Sequence, residues 1–143
     1  MALPKRIVIH ELGPREGMQI EKTPIATAKK IRLVDLLSDC VFPEIEVTSF
    51  VSPKWVPQMA DAEDVVAGFT RRPGTKYTCI YLNSQGMARA VATKKLDIEG
   101  SLSVTASETF SKKNTNRTIE ETLAEALRRI EALRQMKVPV SEI

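Results

Sequence analysis

The sequence predicts an α/β fold of parallel βαβ units, on three observations. Short β-branched runs alternate with segments of helical apolar spacing, in the order β-α-β-α-β-α-β-α and then the start of a further strand. Strand starts recur about every 25 to 40 residues, near the roughly 31 implied by eight units in about 250 residues. The residues after each strand are polar or charged, as expected at the carboxyl ends of parallel strands, where ligands bind in such folds. Two architectures satisfy all three: an open doubly wound sheet and the first half of an eight-stranded barrel.

Arg6 to Leu12 is apolar and β-branched, and Gly13-Pro14 ends it with a turn, which predicts a strand. From Ala26 to Asp39, Ile31, Val34 and Leu37 recur at helical spacing, widened by Leu33 and Leu36. Thr27 is the expected N-cap of that helix, and Pro43 lies beyond its end. Glu44 to Ser49 is the second strand, and the proline-bearing stretch after it reads as an ordered loop pinned by Trp55. Asp61 to Phe69 suggests a short helix, and Lys76 to Leu82 the third strand. Ser84 is expected to cap a helix reaching about Lys95, with Met87 and Val91 as its apolar contacts. Gly100 to Ala106 reads as the fourth strand and SETFSKKNTNR as a polar loop. Thr118 and Glu121 form a capping box opening the clearest helix, whose stripe is Leu123, Leu127, Ile130 and Leu133. A fifth strand is expected to begin near Val138.

Composition narrows the function classes. At 143 residues, 43% hydrophobic and 27% charged, the chain is one soluble domain that can bury a core, a single unit over residues 1–143. No apolar run approaches a membrane span, and the N-terminal stretch is too short and too quickly polar for a signal peptide. The net charge is +3, with cations and anions interspersed, so neither nucleic acid nor membrane is an expected partner. Cys40 and Cys79 make no disulfide framework and read as reduced thiols of a cytoplasmic or matrix-like compartment, Cys79 within the core. The lone His10 alternates within the first strand and reads as a core or interface histidine.

The chemistry-bearing residues lie after the strands. Arg15 and Glu16 are adjacent and bracketed by Gly13 and Gly17. An arginine there can stabilise charge developing on oxygen, and a carboxylate can hold a hard divalent cation; the competing reading is a solvated ion pair. Glu46 falls mid-strand, where a buried acid needs a cation or metal from a neighbouring strand end, with Arg15 the candidate; the competing reading is a solvent-facing position on an edge strand. Lys112, Lys113 and Asn114 precede a helix start and suit a phosphate, or are simply solvated.

The segments GPREGMQIEK at 13–22, IEVTSFVSPKWVPQM at 45–59 and ASETFSKKNTNRTIEET at 106–122 closely resemble the hydroxymethylglutaryl-CoA lyase family. The second is long and specific; the first is shared with related isopropylmalate-type synthases and carboxyltransferases. The resemblance covers essentially the whole chain and implies a (β/α)8 barrel binding Mg²⁺ or Mn²⁺. It implies retro-Claisen cleavage of 3-hydroxy-3-methylglutaryl-CoA, or a related 3-hydroxyacyl-CoA, to acetyl-CoA and a keto acid. It makes Arg15 the arginine that stabilises the departing enolate and Glu16 the metal carboxylate. Gln19, Glu46 and Ser49 fall on substrate-pocket positions.

Two departures qualify the resemblance. The family carries Asp where this chain has Glu16, and the added methylene moves the carboxylate by about 1 Å, a distance octahedral Mg²⁺ feels. The chain also carries neither the family's His-x-His metal pair nor its glycine-rich loop with the catalytic cysteine. The expectation is therefore an N-terminal half-barrel of four βα units plus the start of a fifth strand, inactive alone. It is expected to pair with a second copy or with a complementing C-terminal half. The competing readings are a non-catalytic assembly or binding module and a synthase or carboxyltransferase-type barrel.

Overall fold

The computed structural model describes residues 3–142; the ends of the expected 1–143 domain, residues 1–2 and 143, lie outside the described residues. At its centre is β2 (Glu44–Ser49), hydrogen-bonded in parallel to β1 (His10–Glu11) and β3 (Lys76–Ile80). Side-chain alternation assigns the two faces of β2: Ile45 and Val47 are buried in the core, while Glu44 and Glu46 line a cavity. The register places His10 and Tyr77 beside Glu44 and Ile45 respectively, with an irregularity between Glu46 and Thr48.

The strand order decides between the two architectures. The segment entering β4 (Gly100–Ser101) runs beside β3, where Asp97 N donates to Tyr77 O and the Asp97 carboxylate accepts from Tyr77 N, each at 2.8 Å. β4 in turn pairs in parallel with β5 (Val140–Glu142). Any side chain at Gly100 would collide with the Pro139 carbonyl, so the close approach of these strands requires glycine. A doubly wound sheet reverses its strand order at a switch point. Here the strands follow chain order within each of two sheets, β1-β2-β3 and β4-β5, with no reversal; this is the order of a barrel wall, and the fold is a half-barrel.

The first helices cover the face of the sheet that carries Ile45 and Val47. α1 (Thr27–Asp39) and α2 (Ala62–Gly68) bring Val34, Val65 and Val66 against Ile45 and Val47, with Phe69 stacked on Tyr77 at 4.8 Å between centroids. Thr27 does not cap α1 with its side chain. Its hydroxyl donates to Asp61 at 2.6 Å, as does the buried Lys30 ammonium, and this cluster ties α1 to the start of α2. α3 (Ser84–Ala92) is capped by Asn83, whose Oδ1 accepts from Gly86 N at 2.7 Å, and not by Ser84. Met87 is buried and Val91 packs partly against the core.

Four further expectations are corrected. The stretch expected to be a loop contains α4 (Glu108–Thr115), opened by Ser107, whose hydroxyl accepts from Phe110 N, and closed by Asn116 at φ 56°. Lys112 and Lys113 therefore lie in the last turn of a helix, exposed, and not in a loop. The capping box of α5 (Ile119–Gln135) is present, but Leu123 and Leu127 are exposed, and the helix buries Thr122, Glu125, Ala126, Arg129 and Leu133. The first and fourth strands are two residues each, because a ladder forms only where a neighbour reaches it; Ile7, Val8 and Ile9 are exposed. Trp55 does not pin its loop: it is 72% exposed, with the Lys54 ammonium 5.9 Å from its ring.

Candidate active site at the carboxyl end of the strands

β1 is followed by a wide turn, Gly13–Gly17, of π-helical form. Pro14 suits its second position, still in the first turn, because the fixed φ matches and no N–H is missed there. Arg15 N and Glu16 N both bond back to Leu12 O, at 3.1 and 2.7 Å, so the two side chains leave the turn at fixed directions. The turn packs against β2.

That packing brings three predicted residues together. Arg15 Nε donates to Glu46 Oε1, and Arg15 Nη1 donates to Glu16 Oε2. The Arg15 and Glu46 side chains are both largely covered, at 14% and 15% exposure, while Glu16 is 58% exposed. Two of the three guanidinium nitrogens are thus committed to carboxylates, which fixes the plane of the group. Glu46 is the mid-strand acid whose partner was expected to be Arg15. It is accommodated because its side of β2 lines a cavity of about 510 Å³ and not the helix layer.

Ser49, at the carboxyl end of β2, is 1% exposed, and its hydroxyl has no hydrogen-bond partner among the described residues. A buried hydroxyl without a partner is costly, and this one is at a strand end where ligands bind. Gln19 is half-buried just after the π-turn. Lys112 and Lys113 stand apart from this group on α4.

His10 is half-exposed, so it is not a core histidine; its Nδ1 lies 3.6 Å from Glu44 Oε2 at the cavity edge. Cys79 is largely buried, and burial first, then Glu46 and Glu99, pushes its thiol up to about 12, which leaves it protonated and unreactive. Among the described residues no three His, Cys, Asp or Glu side chains cluster to hold a metal ion. Glu16 is a hard oxygen donor of the type a divalent cation takes, but with Arg15 on one oxygen it fits one position of such a site and not a whole one.

The sequence reading missed two residues here. Glu125 accepts from Ser84 N, Ser84 Oγ and Arg128 Nη2, each at 2.6 Å, and joins α5 to the start of α3. Arg129, one turn further along α5, is 4% exposed and borders the same cavity. The available signal was that 122, 125, 126, 129 and 133 also share one helical face.

Known proteins resemble this chain over nearly its whole length. Residues 6–141 match the model of the HMGL-like family. The mitochondrial hydroxymethylglutaryl-CoA lyase of Gallus gallus is 45% identical over 141 residues, which are 97% of this chain and 46% of that protein. A 3-hydroxy-3-isohexenylglutaryl-CoA/hydroxymethylglutaryl-CoA lyase of Pseudomonas aeruginosa is 45% identical over 98% of this chain and 46% of its own. The crystal structure of hydroxymethylglutaryl-CoA lyase from Pseudomonas aeruginosa superposes with a TM-score of 0.86 at 44% identity, covering 99% of this chain and 47% of that one. The chain thus spans about half the length of the relatives it matches. With its parallel half-barrel wall and this match over nearly its full length, the chain belongs to the HMGL-like family, that of the hydroxymethylglutaryl-CoA lyases.

Proposed function

We propose that this chain supplies the first half of the active site of a divalent-metal-dependent carbon–carbon lyase. The substrate is 3-hydroxy-3-methylglutaryl-CoA or a related 3-hydroxyacyl-CoA, and the products are acetyl-CoA and a keto acid. The observation that carries this reading is Arg15, held between Glu16 and Glu46 at the carboxyl end of the strands, with Glu46 lining a cavity. The relatives' printed activities support it, and the P. aeruginosa name, with two acyl chains, supports a 3-hydroxyacyl-CoA class over one compound.

In the reaction the 3-hydroxyl loses its proton and the carbon–carbon bond breaks. Its electron pair passes to the carbon next to the thioester, forming the acetyl-CoA enolate, which is then protonated. Arg15 donates to the enolate oxygen as negative charge builds there; Glu46 holds its guanidinium in plane, so little reorganisation accompanies the step. Ser49 and Gln19 contact the acyl portion, and Lys112 and Lys113 meet phosphates of CoA. Glu16 would hold Mg²⁺ or Mn²⁺ through one carboxylate oxygen, and a bound ion would supply acidification of the substrate hydroxyl.

The 143 residues are inactive alone in this reading, and a second copy or a complementing half closes the barrel. Exposed Ile7, Val8 and Ile9 beside β1 favour such closure over a free monomer. We place the protein in the cytoplasm; no helix among the described residues is long and apolar enough to cross a membrane.

The test is release of acetoacetate from 3-hydroxy-3-methylglutaryl-CoA with Mg²⁺. The purified chain is mixed with the second half of the P. aeruginosa relative. Activity should appear only in the mixture and vanish with Arg15→Gln. A stable mixed assembly that cleaves nothing would count against the reading.

A further inference from the structure

The cavity beside Arg15 contains a charge imbalance. Four of its lining residues are carboxylates, and each already has a donor. Glu44 accepts from Thr78 Oγ1 at 3.2 Å, Glu46 from Arg15, and Glu99 from Lys76 Nζ at 3.3 Å. Glu125 is taken by Ser84 and Arg128.

The two arginines that line the cavity are not matched in this way. Arg129 is 4% exposed, its Nε is buried without a hydrogen-bond partner, and no carboxylate lies within ion-pair distance of it among the described residues. The Tyr81 hydroxyl, which also faces the cavity, donates to the Glu99 carbonyl. Burial holds the Arg129 guanidinium below its ordinary value; Glu125 and Tyr81 oppose this, and nearby Arg117 adds a like charge. An arginine cannot escape the cost of burial by losing its proton near neutral pH. A buried cation therefore calls for a counter-ion, and the cavity leaves room for one.

We propose that the end of the cavity framed by Arg129, Arg117 and Asn114 binds a compact anion, a phosphate or a carboxylate group, with Arg129 as its buried counter-charge. The fork of the Arg129 guanidinium suits either group, since both present paired oxygens. Arg117, half-exposed at the start of α5, lies where it meets an entering anion first. The site stands independently of the lyase reading; under that reading, the anion is a carboxylate or phosphate of the acyl-CoA.

The test is calorimetry and thermal unfolding of the full chain with inorganic phosphate and, separately, with glutarate, at constant ionic strength. No metal and no acyl-CoA are added. One of the two anions should bind saturably and raise the melting temperature; a phosphate preference marks a phosphate site, a glutarate preference a carboxylate site. Arg129→Met should melt at or above the wild type without anion, because it removes an unpaired buried charge, and should weaken binding at least about tenfold. Arg117→Gln, at a less buried position, should weaken binding less and leave the fold intact. Unchanged affinity in Arg129→Met, or no saturable binding of either anion by the folded wild type, would overturn the proposal. Cleavage of an acyl-CoA is not part of this readout, so failure here and failure of the lyase reading are separate results.

Discussion

Replacing Glu125 by Gln tests how α5 is fastened to the start of α3. The carboxylate is largely buried, which by itself works against its charged form. Hydrogen bonds from Ser84 N, Ser84 Oγ and Arg128 outweigh that cost and hold its pKa at about 2, against an ordinary 4.5. A folded-state pKa below the unfolded one stabilises the fold above the unfolded value, and the contribution fades as pH falls through the folded value. The gap between 4.5 and about 2 corresponds to at most about 3 kcal/mol at neutral pH. The assay is urea unfolding of wild type and Glu125→Gln at pH 7, 5, 4, 3 and 2. The variant should be less stable by about 2–3 kcal/mol at pH 7, and the difference should close between about pH 5 and 2. The other carboxylates cancel in the comparison. A difference that stays constant over that range would refute the reasoning, since Glu125 would then act by shape and not by charge.

Lys30→Met removes a buried ammonium that donates to Asp61 at 2.6 Å, and leaves that carboxylate with Thr27. It should cost about 3–5 kcal/mol by chemical denaturation, with much of the loss recovered in a Lys30→Met, Asp61→Leu double variant. Cys79 should resist a thiol reagent in the native chain at pH 8, because its thiol titrates at about 12, while exposed Cys40 reacts. One thiol should therefore be labelled natively and two in denaturant.

The sequence was most legible where local chemistry and tertiary demand coincide. Glu44–Ser49 is a strand with the expected limits, because its β-branched alternation suits a pleat buried on one side. The box at Thr118 and Glu121 depends only on neighbouring residues and forms as read. Thr27 fails as a side-chain cap because Asp61, far along the chain, takes its hydroxyl. α4 was hidden by its polarity: it buries little beyond Ser111, so it lacks an apolar stripe, and its only local cue is Ser107 at the cap. In α5 the stripe held at Leu133, which is buried, but Leu123 and Leu127 are exposed, because Ser84 donates to Glu125 and the helix turns 122, 125, 126, 129 and 133 inward. In the candidate site, pairing Glu46 with Arg15 was inferable from the cost of an unpaired mid-strand acid. For Arg129 the sequence carried only its place on the 122, 125, 126, 129 and 133 face; that it is buried without a partner follows from the packing of α5.

The account's central claim is that Arg15 stabilises charge that appears only in the transition state. The most direct measurement takes residues 1–143 in place of the matching half of the P. aeruginosa lyase and compares wild type with Arg15→Lys. The lysine keeps the charge but loses the two-pronged hold on Glu46 and Glu16. The account predicts that kcat falls by about 100-fold or more while KM changes by less than about threefold. A kcat within about threefold of wild type, or a loss confined to KM, would contradict it.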